Sequence, residues 1–200
     1  MANKNHALDE EILRAAMGEF LEKGFEAASM RKIAAQAGVT VGAIYTRFPT
    51  KDALFCGLVQ PLIDRIGAAF SSLRSTYYAN TGGVEALAGS MQEESRTILH
   101  LLFDDYDRAR LLLCRSTGSS LQHFLDGVVE EKIRETEAFF QSMPHPDERV
   151  LRLLISSQFH MYFQILRDGY DLEQAKKMME AAMVYCTGGW ISLLNSRKNG

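Results

Sequence analysis

The chain has 200 residues, a formal net charge of −3, 46% hydrophobic residues and four prolines. This is the composition of an ordinary globular protein with a sizeable core, without low-complexity segments. No apolar run approaches the roughly 18 uncharged residues of a membrane span, and the amino-terminal segment MANKNHALDEE lacks the apolar stretch of a secretory signal. We therefore expect a cytoplasmic protein.

Apolar residues recur at three- and four-residue spacing almost throughout, which predicts an all-α protein of about nine helices. In the first helix, Ile12, Ala16 and Phe20 repeat every four residues. The acidic run 9–11 lies in its first turn, where the helix dipole favours anions. Gly24 follows the last periodic turn and is expected to end this helix.

Two short amphipathic helices come next. Ser29 and Thr40 are residue types that cap helix amino termini, so we expect one helix to begin after each. Gly38 interrupts the first of these helices, and Pro49 ends the second. Two short helices joined by a glycine turn are typical of a helix-turn-helix.

Charge is divided along this amino-terminal region. Residues 27–51 contain four basic and no acidic side chains, whereas residues 9–26 contain two basic and six acidic ones. A local charge of +4 beside a local charge of −4 is what a phosphate-binding surface on an otherwise acidic protein requires. The segment 1–52 is therefore predicted to be a DNA-binding domain.

The remaining residues, 53–200, are predicted to form a second helical domain. Thr50 caps a fourth helix, and Pro61 inside it is expected to kink it. Further helices are predicted over residues 84–103, 105–115, 118–142, 147–168 and 172–195.

From Ile12 to Phe55 the sequence resembles the TetR family of bacterial transcriptional regulators. The resemblance rests on the motif G-F-E-A-A-S-M-R-K-I-A-x-x-A-G-V followed by G-x-I-Y-x-x-F-x-x-K-x-x-L. It covers about a quarter of the chain. The rest is compatible with the variable ligand-binding and dimerisation domain of that family.

The resemblance implies that Ser29, Thr40, Tyr45 and Lys51 contact DNA phosphates and that the third helix contacts bases. Arg47 is the best candidate for a guanine edge, and Arg31 is expected to reach in from the second helix. The other third-helix positions expected at the DNA are Val41, Gly42, Ala43 and Thr46. Val41 is equally compatible with packing, and Thr46 is compatible with either a groove or a phosphate contact. A solvated helix face is the alternative for Arg31 and Lys32.

The last two predicted helices carry wide apolar faces that require two neighbours. Burial inside one subunit is one explanation; the preferred one is a two-fold dimer through a four-helix bundle, with Gly188 and Gly189 allowing close approach. The side chains expected at that interface are Leu151, Ile155, Tyr162, Met179, Met183, Cys186, Trp190 and Leu193.

Helices between residues 84 and 170 are expected to surround an effector cavity. Ligand pockets are mainly apolar with a few polar groups, although core packing is the better explanation for any one of these side chains. The candidate lining residues are Met91, Leu102, Phe103, Cys114, Phe124, Phe159, His160 and Phe163.

Cys56, Cys114 and Cys186 lie far apart within apolar helical patterns, which favours buried reduced thiols. The histidines form no metal-binding spacing, and the sequence contains no nucleotide-binding or hydrolase motif. We predict no metal, no cofactor and no enzymatic activity. The expected protein is a dimeric, ligand-responsive repressor that binds operator DNA and no membrane; an activator or a DNA-binding protein without effector stays open.

Overall fold

The computed structural model describes residues 2–79, 83–140 and 146–196. Over these ranges the chain forms nine α-helices and no strands, which confirms the predicted all-α class. The helices are α1 (Ala2–Ala27), α2 (Met30–Gln36), α3 (Val41–Arg47), α4 (Lys51–Ala79), α5 (Gly83–Asp104), α6 (Tyr106–Cys114), α7 (Phe124–Phe140), α8 (Glu148–Asp168) and α9 (Leu172–Ser196).

The chain folds as two compact units. The first unit consists of Met1–Asp64 and Asp105–Phe124, and the second of Arg65–Asp104 and Leu125–Gly200. These units follow packing within the chain and differ from the functional domains predicted above, 1–52 and 53–200. That functional division stays a prediction.

The core of the first unit is built on aromatic side chains. Phe20 of α1 and Phe55 of α4 are fully buried, and their rings meet edge to face with centroids 5.2 Å apart. Phe25 packs against both rings. It follows Gly24, which has φ 75° and ψ 170°, so the regular helix is interrupted where the sequence predicted its end. Aromatic packing thus holds the end of α1 against α4.

Gly38 has φ 66°, a left-handed conformation that costs a residue with a side chain about 1–2 kcal/mol. We expect Gly38→Ala to lower the free energy of unfolding by about this amount. Gly18 is the matched control, because a Cβ there meets no described atom within 4 Å. Replacing Gly18 by Ala in helical α1 is expected to raise stability by up to about 1 kcal/mol. Urea denaturation measures the free energy of unfolding of both variants. Equal stability of the two would contradict a left-handed conformation at Gly38.

Several boundaries differ from the sequence prediction. The helix predicted over 118–142 begins at Phe124, because Gly118 has φ 85° and the Ser119 amide donates to the Ser116 carbonyl in a turn. α4 continues through Pro61. The three cysteines are half-buried rather than buried, and in the described residues they form no disulfide.

By length and composition, one helix among the described residues, at Lys51–Leu73 of α4, is long and apolar enough to cross a membrane. Leu54, Phe55, Leu58 and Leu62 of this segment are buried core residues of the first unit. These four side chains make this part of α4 contribute to that core.

The second unit packs α5 against α9 and α8 against α9. Its buried side chains lie at helical spacing, as in Leu151, Ile155, Phe159, Tyr162 and Leu166 of α8. Asp147 caps α8 by accepting from the Val150 amide at 3.1 Å, and Gly169 ends it with φ 76°.

Candidate nucleic-acid interface

The helix-turn-helix is held by the two predicted N-caps. The Ser29 hydroxyl accepts from the Lys32 amide at 3.5 Å, and the Thr40 hydroxyl accepts from the Ala43 amide at 3.1 Å. The buried carboxylate of Glu19 in α1 accepts from the Ser29 amide at 3.0 Å. α2 therefore begins at a point that is fixed by α1.

The turn between α2 and α3 has the hydrogen bonds of a Schellman motif. The Val39 amide donates to the Ala34 carbonyl at 2.9 Å, and the Gly38 amide donates to the Ala35 carbonyl at 3.3 Å. Ile44 of α3 is buried. The turn and this buried side chain set the direction in which α3 leaves α2.

The side of α3 opposite Ile44 is exposed. Tyr45 is 43% exposed despite its aromatic ring, and Gly42 and Thr46 are also exposed. A Cβ on Gly42 would meet the Thr40 hydroxyl at 3.9 Å. Little stands between the α3 backbone and solvent, which suits a helix that must approach a DNA groove closely.

Other predicted contact residues border this surface. Arg31 of α2 and Thr40 are exposed, while Val41 and Ala43 are half-buried. The Thr46 hydroxyl donates to the Gly42 carbonyl at 2.9 Å, so toward DNA it offers acceptor lone pairs. We refer to Ser29, Arg31, Thr40–Ala43, Tyr45, Thr46 and Lys51 as the α2–α3 surface.

Arg47 is half-buried and held by its neighbours. Its Nε lies 2.6 Å from an Asp9 carboxylate oxygen of α1, and its Nη1 donates to the Ala43 carbonyl at 3.4 Å. A base would have to compete with Asp9 for this guanidinium. The predicted guanine contact therefore requires an exchange of partners.

Lys51, expected at a phosphate, also has partners within the chain. Its ammonium donates to the Glu26 carbonyl at 2.9 Å and lies 5.0 Å from the centroid of the Phe25 ring. Burial lowers the Lys51 pKa, and the charges of Glu26 and Glu19 oppose that shift. The lysine joins the end of α1 to the start of α4.

We expect Asp9→Asn to strengthen binding to any duplex by about fivefold, or roughly 1 kcal/mol, because it removes an acid and releases Arg47. Glu11→Gln is the matched control: it neutralises an acid on the same helix, but its partner is Arg14 at 2.8 Å. Fluorescence anisotropy measures the DNA affinity of both variants. An equal response of the two variants would show that the contact between Asp9 and Arg47 does not restrain DNA binding.

Sequence reasoning missed a contact network on the turn after α6. The Ser120 amide and hydroxyl both donate to the Asp52 carboxylate, each at 2.8 Å. The Arg115 carbonyl accepts from the Phe25 amide at 2.9 Å. This turn holds the end of α1 and the start of α4 together. The pairing spans 68 residues, so no local pattern indicates it.

The predicted effector-cavity residues have different surroundings, and their grouping in one pocket stays a prediction. Cys114 and Phe124 belong to the first unit, His160 is exposed, and Phe103 and Phe163 are half-buried. Met91, Leu102 and Phe159 are core residues of the second unit. The cavity that the second unit does contain is lined by other side chains, from α5 and α9.

The predicted interface residues are covered within their own chain, and their part in pairing stays a prediction. These side chains face the core of their own chain, so burial within one subunit accounts for them: Leu151, Ile155, Tyr162, Met179, Met183 and Trp190 are buried, and Cys186 and Leu193 are half-buried. The exposed apolar side chains of α8 and α9 are different ones: Leu153, 66% exposed, Met178, 41%, Val184, 68%, and Tyr185, 80%. Which of these two faces pairs with a second copy stays a prediction.

A search of the described residues for three or more His, Cys, Asp or Glu side chains placed to hold a metal ion found none.

Comparison with known proteins gives a consistent result. Residues 12–56 match the family model described as bacterial regulatory proteins, tetR family. The fold is similar to that of NalD, the secondary repressor of the MexAB-OprM multidrug efflux pump in Pseudomonas aeruginosa, with a TM-score of 0.65 and 21% identity over 92% of this chain and 97% of that one.

Two further solved structures share the fold. FadR from Bacillus subtilis, in complex with stearoyl-CoA, gives a TM-score of 0.57 and 21% identity over 86% of this chain and 95% of that one. A TetR-like transcriptional regulator from Rhodococcus sp. RHA1 gives a TM-score of 0.61 and 17% identity over 91% of this chain and 96% of that one.

The capped helix pair α2–α3 is a helix-turn-helix, and it lies within residues 12–56, the segment that matches the tetR family model. The solved structures named above share the fold over most of the chain.

Proposed function

We propose that this protein is a ligand-responsive repressor that binds a palindromic operator as a homodimer in the cytoplasm. The observation that carries this proposal is the α2–α3 surface. It combines two N-capped helices with exposed polar side chains, and it lies within residues 27–51, which contain four basic and no acidic side chains. Hydroxyls, helix amino termini and cations are the groups that contact DNA phosphates.

A second copy of the chain is the proposed partner of α8 and α9. Exposed apolar side chains on α9 occur with small residues at spacings of three and four, from Met178 through Ala181, Tyr185 and Gly188 to Ser192. That spacing forms one face of a helix that packs against others in a bundle. Pairing across a two-fold axis would bury this face.

Dimerisation would set the distance between the two DNA-binding units. Two helix-turn-helix units related by a two-fold axis contact half-sites in successive major grooves, about 34 Å apart. An operator for such a dimer is a palindrome.

Control by a small molecule is supported by one of the similar proteins, since FadR is in complex with stearoyl-CoA. An effector acts by binding more tightly to the conformer that does not match the operator. A nearly complete switch requires about 5.5 kcal/mol of such differential affinity, which a well-enclosed small molecule supplies.

Fluorescence anisotropy with the DNA upstream of the protein's own gene tests this proposal. We expect affinity for one palindromic fragment to exceed that for a random duplex by about 1,000-fold or more, with a steep loss on adding salt. Equal affinity for both duplexes would instead indicate an architectural DNA-binding protein. Transcription in vitro distinguishes repression from activation.

A further inference from the structure

The Thr46 hydroxyl uses its proton inside α3. Its Oγ1 lies 2.9 Å from the Gly42 carbonyl oxygen, one turn earlier in the helix. A carbonyl oxygen can only accept, so the hydroxyl is the donor of this bond. Threonine side chains within helices commonly bond a carbonyl three or four positions back. The hydroxyl therefore keeps its lone pairs for an external partner, and lone pairs accept hydrogen bonds.

This acceptor lies on the exposed side of α3. Thr46 and Gly42 are both exposed and lie two positions from the buried Ile44, which places them on the opposite side of the helix. A helical side chain leans over the preceding turn, and for Thr46 that turn carries Gly42, which has no side chain. Gly42 therefore leaves the Thr46 oxygen open to the side from which DNA would approach.

An acceptor is the wrong group for a DNA phosphate. Phosphate oxygens also accept, so the lone pairs of Thr46 have no donor to bond there. In the major groove, adenine and cytosine present amino groups at N6 and N4, whereas guanine and thymine present carbonyl oxygens. An amino group of adenine or cytosine is therefore the group that complements Thr46 in the conformation that the structure shows.

The neighbouring hydroxyls of the α2–α3 surface have the opposite character. The Thr40 hydroxyl accepts from the Ala43 amide at 3.1 Å, which leaves its own proton to donate. The Tyr45 side chain is 43% exposed, and its phenol also carries a proton to donate. Donors of this kind suit phosphate oxygens, so these two hydroxyls and Thr46 are fitted to different parts of the duplex.

Other positions on α3 do not duplicate the acceptor of Thr46. Val41, Gly42 and Ala43 carry no polar side-chain atom. Arg47 lies 2.6 Å from Asp9, and a guanidinium has N–H donors but no acceptor. Once released it would bond guanine rather than an amino group.

We propose that Thr46 determines sequence specificity by accepting a hydrogen bond from the exocyclic amino group of adenine or cytosine in the major groove. This inference rests on the proposed function, because it concerns the α2–α3 surface bound to its operator. Each base pair has one such amino group, which belongs to one of its two strands. Thr46 therefore selects adenine or cytosine on the contacted strand at one position of each half-site.

Anisotropy titration of the palindromic fragment and its single-base-pair variants tests the proposal. At one position, we expect adenine or cytosine to bind about fivefold more tightly for each half-site than guanine or thymine on the same strand. Thr46→Val has nearly the same shape without the lone pairs and should abolish that preference alone. Thr46→Ser keeps the hydroxyl and should retain it.

Base analogues identify the contacted atom. If adenine is preferred, 2-aminopurine moves its amino group to the minor groove and still pairs with thymine. If cytosine is preferred, pyrimidin-2-one lacks the amino group. Each analogue should weaken binding of the parent protein about fivefold for each half-site and leave binding of Thr46→Val unchanged. Comparison of the two proteins on the same duplex cancels any effect of the analogue on the DNA itself.

Tyr45→Phe is the matched control, because it removes a hydroxyl from the same helix. It should weaken binding to all base variants alike, since a phosphate contact carries no sequence information. The melting temperature of Thr46→Val should match that of the parent, because Thr46 is exposed.

Four results would overturn the proposal. If Thr46→Val weakens binding to every duplex equally, Thr46 contacts a phosphate. If the preference that depends on Thr46 is for guanine or thymine, the hydroxyl leaves Gly42 and donates to the base. A selective operator that responds equally to parent, Thr46→Val and Thr46→Ser would refute the role of Thr46 and leave the proposed function standing. Equal affinity for the palindrome and a random duplex would refute both.

Discussion

Tyr185→Glu is expected to convert the dimer to monomers at micromolar concentration and to weaken operator binding by about 100-fold or more. Tyr185 is 80% exposed on α9 and lies between Ala181 and Gly188 on the face proposed to pair. A glutamate there would bury two carboxylates, one from each copy, without cationic partners. Each monomer would then bind its half-site independently, and the gain in affinity that comes from linking two DNA-binding units would be lost.

Sedimentation velocity and operator anisotropy measure the two parts of this prediction. His100→Glu is the control, because it adds a carboxylate at an exposed position of α5, away from the α9 face. That variant should stay dimeric and bind as the parent does. A Tyr185→Glu protein that still sediments as a dimer would locate the interface elsewhere.

Thr46→Glu is expected to weaken operator binding by about 100-fold, or roughly 3 kcal/mol, while the melting temperature stays unchanged. Thr46 is exposed on α3, and its described hydrogen bond is to the Gly42 carbonyl of the same helix. Replacement disturbs no packing, but it places a negative charge where the phosphates and the bases approach.

Gln36→Glu is the matched control for Thr46→Glu. Gln36 is exposed at the carboxyl end of α2, whereas the proposed phosphate contacts lie at helix amino termini. Both variants add one negative charge to the first unit. If both weaken DNA binding equally, the effect is one of net charge, and α3 is not the helix that enters the groove.

Local signals were sufficient to predict the helix-turn-helix from sequence. Ser29 and Thr40 are N-cap residues whose hydrogen bonds lie within three positions, and Gly38 supplies a positive φ that other residues avoid. Each of these signals involves a single residue and its near neighbours. The structure therefore contains them where the pattern placed them.

Long-range partners could not be predicted in the same way. Asp9 was interpreted as an anion at a helix amino terminus, but its carboxylate lies against Arg47 of α3. Asp52 pairs with Ser120, and Glu19 caps α2 from another helix. Tertiary packing decides these contacts, and helical periodicity carries no information about them.

The burial of the predicted pairing faces of α8 and α9 within the chain could not be foreseen for a related reason. A helix whose apolar residues cover much of its circumference does not reveal which stripe faces its own chain and which faces a partner. The largest side chains, such as Trp190 and Met183, fill the core. The outer face is marked instead by Tyr185 and Val184 beside small residues.

Hydroxyl-radical footprinting on the DNA upstream of the gene tests the central claim most directly, because it reports contact and symmetry together. We expect two protected patches on one face of the duplex, about one helical turn apart and related by the palindrome. Protection should vanish for Thr46→Glu and persist for Gln36→Glu. A single patch, or uniform protection without symmetry, would contradict a dimer that binds through the α2–α3 surface.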